Sequence, residues 1–284
     1  MLGFISLLSP FMGMIFSIAY SGKIWHQTLR RQIIALLGFV TVIILAAVLE
    51  NDPAVWLNAC DALVGVGLGL VLFILILRQR MDINIALALL LVFEIGFCFF
   101  RNWLFAPTLA SISQQMTPMY ETYLKRIPSL NVNMNAISWV QQIMLNYQSA
   151  IWGSIQAAGI FFGFLLFNKT SLMKQPVRMI KLPYELIFLF IAALALALYP
   201  VTRLYGINLL ICMSVIYLIQ GTAVLSFAWG DFFSKARLLR TFLIMAIILN
   251  YPVLILIALI GLLDVWFDFR KLTLMEEKHE SDIN

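Results

Sequence analysis

Apolar runs of about twenty residues recur along this chain, and that length is what an α-helix needs to cross the hydrocarbon core of a bilayer. Backbone groups in lipid must be satisfied within the element itself, so each run is expected to be a helix. Eight such runs can be read. The first is Met1–Tyr20, with Pro10 in its middle. The next three are about Ile33–Val48, Ala54–Leu77 and a run that starts after Asp82 and continues to about Leu104. The last four are Ser149–Phe167, Pro183–Val201, Ile207–Trp229 and Thr241–Phe267.

Composition agrees. Hydrophobic residues make up 62% of the chain and charged residues 12%, against about 45–50% and about 25% in soluble domains. That excludes an ordinary soluble enzyme, a disordered tail and a nucleic-acid-binding domain. Eight spans use about 160 residues, so the 284-residue chain has no room for a separate soluble domain of ordinary size. The fold class is an all-α polytopic transmembrane bundle in one membrane domain. Spans one to four occupy 1–105, an extramembrane connection 106–148, spans five to eight 149–267, and a polar tail 268–284.

The opening stretch has no basic region and no small-residue cleavage site, so it reads as a retained first helix. Asn51-Asp52-Pro53 marks a turn, and Asp82 suits a helix N-cap. The connection 106–148 contains Pro107, Pro118 and Pro128 among many polar residues. Thr117-Pro118 reads as a helix start. Ile137, Val140, Met144 and Tyr147 recur at helical spacing, so two short amphipathic helices are expected on the membrane surface or capping the bundle. A solvated connector is the alternative.

The net charge of +5 fits basic residues that hold cytoplasmic loops in place. With eight spans, one side receives Lys23, Arg30, Arg31, Arg78, Arg80, Lys169, Lys174, Arg178, Lys181, Lys235, Arg237 and Arg240. The other receives Arg101, Lys125, Arg126 and Arg203. The richer side is expected to be cytoplasmic, with both termini outside. Arg270 and Lys271 directly after the last span oppose that assignment.

Polar residues inside the spans are the candidates for function, because charges at bilayer depth are costly and usually face the bundle interior. Asn58, Asp61, Gly65 and Gly69 fall on one face at spacings of three and four, and the glycines admit a neighbouring helix. Glu94, Cys98 and Arg101 share a face of the fourth span, with Arg101 near enough to its end to snorkel. A small polar substrate or ion would be held by Asp61, Glu94, Gln156 and Asn58. Alternatively, the two carboxylates are buried structural groups, paired or neutral. Gly159 and Gly163 form a GxxxG packing step, read as contact within the bundle rather than dimerisation. In the last span Pro252 is expected to kink the helix. Asn250, Leu254, Ile257, Gly261 and Asp264 form one stripe, which Asp268 and Lys271 extend.

No Walker A loop, HExxH, nucleophile elbow or His–Cys pairing occurs, so the chain reads as no enzyme. Cys60, Cys98 and Cys212 suggest neither a disulfide framework nor a zinc site. No cofactor or metal is implied. The bilayer, and other membrane subunits, are the expected partners, with no nucleic acid.

The last third carries a recognisable succession: Lys181-Leu182-Pro183-Tyr184-Glu185, Asn208-Leu209-Leu210, Ile219-Gln220-Gly221-Thr222-Ala223, and a closing Gly261-Leu262-Leu263-Asp264-Val265-Trp266-Phe267-Asp268-Phe269-Arg270-Lys271. It resembles the YybS-like family of bacterial predicted membrane proteins, defined by a domain of unknown function. The resemblance implies a multi-pass protein of the bacterial inner membrane. Such bundles also look similar to the substrate-binding subunits of energy-coupling-factor transporters, an analogy of fold alone. Two roles follow. One is a transporter-like binding subunit that draws energy from a separate ATPase or an ion gradient. The other is a scaffold or assembly factor that docks partners through 106–148 and the closing motif, with Gln220, Gly221, Asp264, Asp268, Arg270 and Lys271 as the motif residues.

Overall fold

The computed structural model describes residues 2–24, 27–50, 52–79, 82–125, 134–171, 175–235 and 250–272. Among these residues there are helices and turns and no strand. The helices are α1 (Leu2–Leu8), α2 (Pro10–Ile24), α3 (Leu29–Glu50), α4 (Pro53–Cys60), α5 (Gly69–Arg78), α6 (Ile83–Leu104), α7 (Ala106–Lys125), α8 (Met134–Asn146), α9 (Gln148–Thr170), α10 (Leu186–Leu198), α11 (Arg203–Lys235) and α12 (Tyr251–Phe267). A π-helical segment, Asp61–Leu68, joins α4 to α5.

Five helical stretches are long and apolar enough to cross a bilayer: Arg30–Glu50, Pro53–Arg78, Ile83–Leu104, Gln148–Lys169 and Arg203–Gly230. Leu186–Leu198 and Pro252–Phe267 are shorter apolar helices. The all-α membrane bundle therefore stands, while five of the eight expected spans are full-length among the described residues. At 13 residues, α10 rises only about 20 Å against a hydrocarbon core of about 30 Å. The first apolar run is divided at Ser9. The residue before a proline disfavours the helical region, and Pro10 suits a helix start. The chain folds back there so tightly that Ser6 lies against Gly13.

Other proline expectations are corrected in the same way. Pro252 does not kink a long helix but stands in the first turn of α12, after Asn250 as N-cap. A proline is cheap there because that N–H has no intrahelical partner. The expected helix start at Thr117-Pro118 lies inside α7, which begins at Ala106 with Pro107 in its first turn. Pro118 is exposed, so the carbonyl it frees is not trapped in the core. Asp82 caps its helix as expected, accepting from the Asn84 N–H at 3.1 Å, and Asp52 of the expected turn also acts as an N-cap, accepting from the Ala54 N–H at 2.8 Å. The connection contains two helices, α7 and α8, and Trp139, Val140, Met144 and Leu145 of α8 are exposed apolar residues. Residues 241–249 of the expected last span, both histidines and the tail from 273 onward lie outside the described residues.

Glycines set the helix contacts. A Cβ on Gly159 would meet the Phe11 ring at 3.1 Å, and one on Gly163 would meet Ile18 at 2.9 Å. The GxxxG step of α9 therefore packs on α2 within the chain. A Cβ on Gly221 would run into the Ile257 carbonyl, and one on Gly261 into the Tyr217 carbonyl. There α11 and α12 touch backbone to backbone.

Candidate functional site

The charged interior is built on the antiparallel pair formed by the π segment with α5 and by α6. Arg101 Nε donates to Asp61 Oδ1 at 2.6 Å, and both side chains are buried. The guanidinium carbon lies 5.0 Å from the centre of the Trp152 ring, contributed by α9. Trp152 in turn meets Phe97 edge-on, with ring centres 6.0 Å apart. The ion pair thus has an aromatic wall that keeps lipid and water away from it.

Two turns along α6 lies Glu94, 1% exposed, with neither carboxyl oxygen in a hydrogen bond. Its oxygens stand against Gly65 and Gly69, where added Cβ atoms would lie 3.7 and 3.2 Å from them. Small residues on the facing element leave room for the carboxyl. The π segment makes that face. Each of its turns takes about one residue more than the 3.6 of an α-helix, so Asp61, Gly65 and Gly69 still point toward α6.

The same widening corrects the expectation for Asn58. On an uninterrupted α-helix Asn58 and Gly69 would align. With the π segment between them the direction drifts, and Asn58 is exposed, away from the carboxylates. Gln156 is buried and its Oε1 has no donor, but it hydrogen-bonds to neither carboxylate. The structure therefore brings together Asp61, Glu94, Gly65 and Gly69, leaves Asn58 at the surface, and keeps Gln156 buried one turn from Trp152 with no hydrogen bond to either carboxylate. Arg101 does not snorkel, because Asp61 holds it inside. The Asp61–Arg101 pairing was missed by sequence reasoning, yet it had a signal: in an antiparallel pair turning near residue 81, positions whose numbers sum to about 162 stand opposite.

The closing motif forms a second polar cluster at one end of the bundle. Gln220 Nε2 donates to Asp264 Oδ2 at 2.7 Å, and Gln220 Oε1 accepts from the Leu182 N–H at 3.0 Å. Arg270 pairs with Asp264 at 2.8 Å and donates to the carbonyls of Arg178 and Ile180 at 2.7 and 2.8 Å. Asp268, at φ 41°, turns the chain back after α12, which brings Arg270 under the basic loop. The loop is held from its other side by Asn84 Oδ1, which accepts from Gln175 Nε2 and the Lys181 N–H. Gln220, Gly221, Asp264 and Arg270 are buried, so they form an internal latch rather than a docking face. Asp268 is half-buried, and Lys271 is exposed. At the opposite end, Asn208 holds the α8–α9 junction, donating to the Asn146 carbonyl and accepting from the Ala150 N–H.

The latch corrects the topology. Arg270 is bonded to the loop that carries Arg178 and Lys181, so α12 ends on the side of that loop. The reading with three crossings after the basic loop placed it on the other side. Arg270 and Lys271 therefore lie at the same end of the bundle as Arg178 and Lys181 and join the basic side.

Among the described residues no cluster of His, Cys, Asp and Glu could hold a metal ion.

A helical bundle with several apolar spans and a paired charge in its interior defines a multi-pass integral membrane protein. Residues 160–265, from the middle of α9 to the end of α12, match the family described as predicted membrane protein (DUF2232), in agreement with the resemblance of the last third to the YybS-like family. No curated protein and no solved structure matches the chain.

Proposed function

We propose that this protein is a transporter-like subunit of the bacterial inner membrane, without enzymatic activity of its own, in which Glu94 takes up a proton or a small monovalent cation inside the bundle. The observation that carries this reading is the Glu94 carboxyl, buried with no donor on either oxygen. An ionised carboxylate left unpaired in an apolar interior is very costly, so the group calls for a proton or a cation. Asp61 and Arg101 neutralise each other, which leaves one negative charge when Glu94 is ionised and none when a monovalent cation joins it. Intramembrane ionisable residues commonly mark ion or proton pathways, and π segments are frequent at functional sites. The chain has no nucleotide-binding motif, so energy for transport comes from an ion gradient or a partner ATPase. The basic end faces the cytoplasm under the positive-inside rule.

Infrared difference spectroscopy of the reconstituted protein tests the reading. Wild type is expected to show a buried protonated-carboxyl band that responds to pH, Na+ or K+, and Glu94→Gln to lack it. Identical spectra for the two proteins across these titrations would sink the proposal.

A further inference from the structure

A cleft of about 950 Å³ lies among α1, α2, α3 and the π segment with α5, on the side of the π segment where Gly67 faces Phe39, away from Gly65, Gly69 and Glu94. Its walls are apolar and include Phe16, Ile34, Phe39, Leu70 and Ile74. Lys23 and Arg78 stand at one end. The cleft exists because α3 packs through its second half, where Ile43 and Ala47 are buried, while Ile33, Ile34 and Leu37 near its start remain exposed. Gly38 faces the gap with nothing within 4 Å of where a Cβ would sit.

From this geometry we infer that the cleft is a binding site for one anionic phospholipid of the leaflet on the basic side, with the phosphate at Lys23 and Arg78 and acyl chain along the apolar walls. Two independent features favour this occupant. The first is charge: neither Lys23 nor Arg78 forms an ion pair among the described residues, and both stand at the end where the bundle meets water. The second is length. From Arg78 down to Gly67, at the floor of the cleft, is eleven residues, or about 16 Å of helix. Half of the hydrocarbon core is about 15 Å. The cleft therefore reaches from headgroup level to the bilayer midplane, as an acyl chain of one leaflet does. A bound lipid would also cover the exposed first half of α3. This site is independent of Glu94 and stands whether or not that carboxyl binds a cation.

Nanodiscs containing equal parts of phosphatidylglycerol and phosphatidylcholine, followed by mild detergent release and native mass spectrometry, provide the test. Wild type is expected to retain one phosphatidylglycerol in preference to phosphatidylcholine. Removing two basic side chains near the surface, in Lys23→Gln/Arg78→Gln, should reduce that preference by about thirtyfold. Gly38→Trp keeps both charges and sets an indole into the cleft where the acyl chain would lie, and is expected to weaken retention of lipid of either kind. An unchanged preference in the double variant, lipid retention unaffected by Gly38→Trp, or a lipid-free dimer as the main wild-type species would each overturn the inference. Thermal melting of each variant separates lost binding from lost folding. Should the double variant fail to fold, Gly38→Trp and the wild-type lipid preference decide the matter.

Discussion

Arg101 holds its guanidinium inside the bundle, between the Asp61 carboxylate and the Trp152 ring. Removing one partner of a buried pair leaves the other charge uncompensated, which costs about 3–5 kcal/mol. Arg101→Met is therefore expected to lower the stability of the purified protein by that amount. Asp61→Leu/Arg101→Met removes both charges and should recover most of the loss, since an apolar replacement of a whole buried pair is often neutral. Denaturant unfolding of the two variants in detergent decides this, and a double variant no more stable than the single one would contradict it. At this scale the sequence was informative in part. Asp61 and Glu94 stood out because ionisable groups inside apolar runs are rare. Their different fates did not. Asp61 has a donor opposite it and Glu94 has none, and that depends on the register between two helices.

Among the elements, the contact between α11 and α12 rests on two residues without side chains. A methyl group on Gly261 would have to occupy the place of the Tyr217 carbonyl. Gly261→Ala is expected to destabilise by about 1–3 kcal/mol, the usual cost of overpacking. Gly38→Ala meets nothing and should be neutral, or stabilising by up to about 1 kcal/mol through helix propensity. Melting temperatures of the two alanine variants measured side by side check the contrast; equal effects would argue against backbone contact at Gly261. Both are glycines within apolar helices, so their sequence surroundings do not tell them apart. The difference lies in what faces them. The π segment was equally hidden, because its composition of Gly, Val, Leu and Ala suits an α-helix nearly as well.

Across the whole molecule, the latch at Arg270 fixes which end of the bundle the last described helix reaches. Single cysteines introduced by Lys169→Cys and Lys271→Cys, in a background lacking Cys60, Cys98 and Cys212, should react with a membrane-impermeant maleimide from the same side. Val201→Cys, in the exposed turn between α10 and α11, should react from the opposite side. Labelling of positions 169 and 271 from opposite sides would show that the latch does not form in the membrane.

Hydropathy and charge were enough to establish a helical membrane protein, the positions of most apolar elements, the two helices of the connection, the turn at Asp52 and the capping role of Asp82. These follow from local physics: a run of apolar residues has one low-energy form in lipid, and a cap acts within three residues of itself. The pairing of Asp61 with Arg101, the solitary state of Glu94, the inward turn of the closing motif and the cleft beside α3 are long-range facts. Each depends on which helix faces which, and on a phase that eight π-helical residues shift. A periodic pattern counts residues along one helix, whereas these contacts are set by the depth and rotation of two helices relative to each other.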